Sequence, residues 1–256
     1  MILKDFTKEK FDIIVLAGQS NAEGTGIGRV ENAYVPDPRV WFLSNHERFG
    51  DTCIIEPATE SVSRNSVHNN LALTFAEEYV KNGRLEDGRS VLIIRTAVGG
   101  TGFADNRWTP TGDLYLRMLD LVDIALSLNR ENRIVAFLWH QGEAEVVAGV
   151  NHATHYKNLM TLVKSVREYF DDPLLPFVAG DFVYDWKSDN EEGCAPIVRA
   201  MRDVCADCGC GAFVETDGLL SNLQDQTGWA DSIHFSRRSL YELGRRYFGA
   251  YIDINK

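Results

Sequence analysis

A chain of 256 residues, 45% hydrophobic and 25% charged, has the length and balance for one large domain with a substantial core. Its 26 Lys and Arg against 37 Asp and Glu leave a formal charge of -11, which repels polyanions and argues against nucleic acid or anionic membrane surfaces as partners. No apolar stretch reaches the ~20 residues that span a bilayer, and no linker, repeat or low-complexity tract breaks residues 1–256, which read as a single domain.

The first ten residues carry charge where a signal peptide needs an apolar run. The expected location is therefore the cytoplasm, or outside the cell if a leader has been cleaved. Ile13–Ala17 is the first predicted strand, and it runs directly into Gly18-Gln19-Ser20-Asn21. Arg39–Leu43 adds a short second one. Leu71–Lys81 has helical periodicity and stops at Asn82-Gly83. Val91–Arg95 is a strand followed by Thr96-Ala97-Val98-Gly99-Gly100-Thr101. Leu114–Leu128 is a helix with Leu114, Met118, Leu121, Val122 and Ala125 on one face. Ile134–Trp139 is a strand followed by His140-Gln141-Gly142-Glu143. A helix over His155–Phe170 ends before Asp171-Asp172-Pro173, and Phe177–Gly180 is the next strand. Pro196–Cys205 begins with proline in a helix-start position. Ala212–Glu215 is the last strand and Ser236–Tyr251 the closing helix. Loops near 22–38, 44–66 and 99–112 are long enough to expect them to shape a cleft.

These short strands, rich in Val, Ile and aromatics, read as buried on both faces, and they alternate with helices. The pattern predicts a doubly wound, three-layer α/β/α fold around a parallel sheet. Ligands of such sheets bind beyond the carboxyl ends of the strands. Three strands are followed at that edge by polar or glycine-rich sequence, so Ser20, Gly99-Gly100 and His140-Gln141-Gly142-Glu143 converge.

Acyl transfer uses such a set. Ser20 supplies an attacking hydroxyl, while the Gly100 N–H and the Gln141 amide offer donors to a developing oxyanion. Each also has a plainer reading: Ser20 or Asn21 as a helix N-cap, Gly99-Gly100 as a tight turn, Gln141 as a loop brace. Of six histidines (His46, His68, His140, His152, His155, His234), His234 has a carboxylate three residues before it, in Asp231-x-x-His234. That spacing lets Asp231 orient the imidazole toward Ser20, although helix capping by Asp231 is the commoner use of the pattern. Five cysteines without a leader fit reduced thiols. Cys205-x-x-Cys208-x-Cys210 has metal-like spacing but lacks a second Cys pair, so no metal is expected.

In order, Gly18-Gln19-Ser20-Asn21, Gly99-Gly100-Thr101, Trp139-His140-Gln141-Gly142-Glu143 and Asp231-x-x-His234 resemble the four blocks of the SGNH-superfamily serine esterases. More narrowly, they resemble the sialate O-acetylesterase and acetylxylan esterase group of carbohydrate esterases. The resemblance implies a flavodoxin-like sheet of about five parallel strands and no cofactor or metal. It implies Ser20 as nucleophile, His234 as base, Asp231 as its partner, an oxyanion hole of Ser20, Gly100 and Gln141, and Glu143 as a second acid. Two places depart from it. Ser232 stands where the group has glycine, and Ser66-Val67-His68-Asn69-Asn70 replaces a Gly-Pro. The expected reaction is removal of O-acetyl groups from a small-molecule or oligosaccharide ester such as acetylxylan or an acetylated sialic acid. Asn21, Glu23, Arg107 and Trp108 are substrate-contact candidates by loop position. The rivals are a lipase or thioesterase acting on longer acyl chains and a sugar-binding protein without turnover.

Overall fold

The structure, a computed structural model, describes residues 4–45, 53–63 and 66–256; His46 and parts of the 44–66 loop fall outside them. The elements in chain order are β1 (Phe11–Gly18), α1 (Ser20–Glu23), β2 (Val40–Asn45), β3 (Cys53–Pro57), β4 (Ser61–Ser63), β5 (Ser66–His68), α2 (Leu71–Lys81), β6 (Ser90–Arg95), α3 (Asp113–Leu128), β7 (Arg133–His140), α4 (Glu143–Val147), α5 (His152–Tyr169), β8 (Phe177–Gly180), α6 (Tyr184–Asp189), α7 (Glu191–Asp207), β9 (Gly211–Val214) and α8 (Arg237–Ile254).

Seven strands form the main sheet in the order β3-β2-β6-β1-β7-β8-β9, all parallel except β3, which pairs antiparallel to β2. This corrects the expectation of about five. The extra edge strand, β3, is only half-buried and lies in a stretch that reads as loop. A two-stranded β4–β5 hairpin occupies the same stretch. The expected helix at Pro196 begins earlier: α7 starts at Glu191 and carries Pro196 inside it, where the missing N–H forgoes one bond to an exposed turn.

Alternate residues of β1 feed two cores. Ile13, Val15 and Ala17 pack with α3, α5 and α7, whereas Ile14 and Leu16 pack with α2 and α8. The sheet is thus covered on both faces, as a parallel sheet requires. After β1 the chain crosses to β2 and the edge strand β3, comes back to β6 between β2 and β1, and then passes β1 to β7, β8 and β9. The strand order therefore reverses beside β1, and the crevice at its carboxyl end is the place where such folds bind ligands. At the opposite end, Asp12 is wholly buried and accepts from Arg89 (2.8 Å), Arg133 (2.7 Å) and the Tyr79 hydroxyl (2.9 Å), tying β1 to β6, β7 and α2.

Candidate active site

β1 ends hard against β7. The Gln19 N–H donates to the His140 carbonyl at 3.0 Å, and a Cβ on Gly18, whose φ is +128°, would collide with that carbonyl. Glycine is required there. The turn presents Ser20 as the first residue of α1, with Gln19 rather than Ser20 or Asn21 at the N-cap.

Ser20 Oγ lies 2.8 Å from His234 Nε2, and His234 Nδ1 lies 2.7 Å from Asp231 Oδ2. The partners are 214 residues apart, joined because the segment between β9 and α8 folds back over α1. Asp231 is well held. Its Oδ1 accepts the N–H groups of Ile233 (3.1 Å) and His234 (3.2 Å), and its Oδ2 also accepts from Asn222 (3.2 Å). Burial opposes ionisation of Asp231, yet the His234 hydrogen bond and charge, with Asn222 and the N–H of His234, hold its carboxyl below the usual range. Asp231 fixes Nδ1 as the protonated nitrogen, so Nε2 faces the serine as an acceptor.

Asn21 belongs to this assembly instead of a substrate wall. It is fully buried; its Nδ2 donates to Glu143 Oε1 (2.8 Å) and to the Ile233 carbonyl (3.1 Å), while its Oδ1 accepts the Phe235 N–H (3.1 Å). The residue after Ser20 therefore grips the backbone on both sides of His234. Glu143 reaches that histidine only through Asn21. Asp231 and Ser20 already engage both ring nitrogens, which leaves no direct place for a second acid. Burial pushes the Glu143 carboxyl up, and its Oε2 has no partner among the described residues.

Gln141 also differs from expectation. Its amide is wholly buried, and its Nε2 faces three acceptors: Glu145 Oε2, the Thr101 carbonyl (3.2 Å) and Gln19 Oε1 (3.3 Å). Its two N–H groups are thus shared among three protein acceptors, and it braces the loop around the site. The N–H groups of Ser20 and Gly100, by contrast, enter no hydrogen bond among the described residues. Gly99 packs against Ser20 and donates its N–H to Glu23 Oε2 at 2.8 Å, placing the exposed Glu23 carboxylate at the mouth of the site.

Of the other two substrate-contact candidates, one is covered and one is engaged at the surface. Trp108 is fully buried, edge-on to Trp139 with its Nε1–H on Thr101 Oγ1 (3.0 Å), so it buttresses the glycine loop and meets no ligand. Arg107 forks onto Asp113 at the start of α3 (3.0 and 2.7 Å). An exposed ring lies near in sequence: Trp229, two residues before Asp231, is 36% exposed and edge-on to His68. Beside Gly100 and Gln19 opens a cleft of about 470 Å³, walled by Ala104, Ala144, Val147 and Ile233.

His140 is structural. Tyr247 donates its hydroxyl to the Trp139 carbonyl (2.9 Å) and accepts from His140 Nδ1 (2.8 Å), and burial lowers the imidazole to about 3. The three clustered cysteines do not converge: Cys208 Sγ turns to the Cys205 carbonyl and Cys210 Sγ to that of Ile254. No cluster of three or more metal-ligating side chains occurs among the described residues. Nor is any described helix long and apolar enough to cross a membrane. Asn222 and Glu145 had no signal in the sequence. A second carboxylate in the first turn of a helix ordinarily reads as a solvated charge at the helix N-terminus.

A family model described as carbohydrate esterase, sialic acid-specific acetylesterase matches residues 10–253. Over 100 residues the chain is 32% identical to the probable carbohydrate esterase At4g34215 of Arabidopsis thaliana; the match covers 39% of this chain and 36% of that protein. The crystal structure of NanS superposes with a TM-score of 0.79 at 19% identity, covering 96% of this chain and 98% of that one. The Arabidopsis protein superposes at 0.70 with 19% identity, over 94% and 98% of the chains. A carbohydrate acetylesterase from Xanthomonas citri superposes at 0.62 with 14% identity, over 95% and 56%. At these identities the superpositions establish the fold.

Proposed function

Since the chain belongs to the carbohydrate esterase family of sialic acid-specific acetylesterases, we propose that it removes O-acetyl groups from a sugar through an acetyl-serine intermediate on Ser20. The observation that carries this reading is the unbroken line Ser20 Oγ, His234 Nε2, His234 Nδ1, Asp231 Oδ2, with links of 2.8 and 2.7 Å. Ser20 Oγ attacks the acetyl carbonyl carbon as His234 takes its proton, and Asp231 stabilises the imidazolium. The oxyanion forms against the N–H groups of Ser20 and Gly100. Collapse expels the sugar alkoxide, which takes the proton back from His234. Water then adds to the acetyl-serine by the same route, releasing acetate and restoring the serine.

Glu23, exposed and bonded to the Gly99 N–H beside Ser20, offers a carboxylate to sugar hydroxyls. Acetate release from acetylated xylan, acetylated sialic acids and simple sugar acetates tests the reading. Ser20→Ala and His234→Ala are expected to lower turnover by at least ~10⁴-fold, and a fluorophosphonate to label the wild type on Ser20. Near-normal turnover in Ser20→Ala would overturn it. The apolar walls of the cleft beside Gly100 also admit acyl groups longer than acetyl. A series from acetate to octanoate therefore separates an acetylesterase from a longer-chain esterase.

A further inference from the structure

We infer that Glu145 is a positioning residue for the oxyanion hole, an inference that rests on the acyl-serine reading above. Glu145 lies in α4, fully buried, with no cation among the groups that bear on it. A bare carboxylate in such a place is costly unless N–H donors surround it. They come from two elements. Oε1 accepts the N–H groups of Phe103 (2.6 Å) and Ala104 (3.1 Å), at the end of the loop that carries Gly100, and Oε2 accepts from Gln141 Nε2. Gln141 Nε2 also faces the Thr101 carbonyl in that loop (3.2 Å) and Gln19 Oε1 beside the nucleophile (3.3 Å), and shares its second N–H between them. One carboxylate thus joins the glycine loop after β6, the polar turn after β7 and the turn before Ser20. Trp108 holds the loop from its other side through Thr101.

The chemistry of the cradle makes this testable. Both oxygens must accept, so Glu145→Gln, nearly the same shape, places an NH₂ against an N–H donor in either rotamer. Either the loop or Gln141 is released, and a displacement of about 1 Å at a donor is enough to cost ~10²-fold. Gly102→Ala is an independent perturbation, since a Cβ there would strike Glu145 Oε1 without changing any charge. In both variants kcat on an aryl acetate is expected to fall about 10- to 100-fold with KM within about threefold of wild type. The inhibition constant of a trifluoromethyl ketone, whose adduct with Ser20 bears the oxyanion, should rise by the same factor as kcat/KM falls. Glu145→Asp should recover part of both. A fall in thermal stability with kcat and the inhibition constant within twofold of wild type, in either folded variant, would overturn the inference. Loss of Ser20 dependence in the wild type would instead overturn the acyl-serine reading.

Discussion

Asn21 shows how one amide serves two parts of a site. Its carbonyl and NH₂ take the Phe235 N–H, the Ile233 carbonyl and Glu143, so His234 is gripped from the residue next to its nucleophile. Asn21→Ala leaves the Phe235 N–H and Glu143 Oε1 without these partners. It is expected to cost 1–3 kcal/mol of stability and to lower kcat about 10- to 100-fold with little change in KM. Unchanged kcat in steady-state assays of the folded variant would show that the grip is not needed. At this scale the sequence was informative where chemistry sits on the strand ends. Ser20 stands out by its place after a strand, Asp231 and His234 by their spacing together with the resemblance of the four blocks, and the structure places the three within hydrogen-bond distance. Asn21 and Trp108 have surroundings that loop position does not reveal, because spacing says which residues meet at an edge and not which of them are covered. Burial depends on what folds over them: the 231–235 segment over Asn21, and the loop and α4 around Gln141 and Trp108.

At the level of elements, β1 is held at both ends, by the Gly18 contact at the site and by Asp12 at the far edge. Asp12→Ala strands the buried Arg89 and frees Arg133 and Tyr79. Removing one partner of a buried ion pair typically costs 3–5 kcal/mol, and urea unfolding should show a loss of that size with an unchanged m-value. A loss under 1 kcal/mol would mean water replaces the carboxylate freely. The central strands were legible because a strand covered on both faces has no polar side to blur its apolar run; Phe177–Gly180 was located to the residue. The edge strand β3 was not, since its half-buried residues carry no such run. The start of α7 is hidden for a different reason. Asn190 caps it without a side-chain bond, so proline looked like the stronger start signal.

For the molecule as a whole, the buried imidazoles weigh against stability in acid. His155 is sealed against Phe103 with neither ring nitrogen hydrogen-bonded, and burial, helped by His152, lowers it to about 4. The folded state keeps this ring neutral, while an unfolded chain binds a proton near pH 6.5. Its contribution is therefore complete above that value and is lost as pH falls toward 4. Carboxyls raised by burial, such as Glu143, Glu145 and Asp181, act in the opposite sense by taking protons sooner in the folded state. A difference measurement isolates the histidine. His155→Leu should lose about 2 kcal/mol less stability than wild type between pH 7 and pH 5. Parallel pH curves would show that His155 is protonated or hydrated within the fold.

The segment between β9 and α8 carries both His234 and Asp231, yet it has no helix or strand of its own. It is fastened by scattered bonds and not by a ladder: within it, Asn222 N–H to the His234 carbonyl and Leu223 N–H to the Asp231 carbonyl, and to its surroundings, among others, Ile27 N–H to Asn222, Ser221 to Asp185, and Phe235 and Ile233 to Asn21. Such a stretch opens at a lower free energy than the sheet beneath it. On heating, the fraction of molecules titratable by a fluorophosphonate should therefore decline several degrees before the far-ultraviolet circular dichroism changes, and should return on cooling. Two coincident curves would mean the segment melts only with the whole. In a cell this would make warmth a reversible brake, idling the enzyme while its scaffold stays intact and out of reach of proteases that need an unfolded chain.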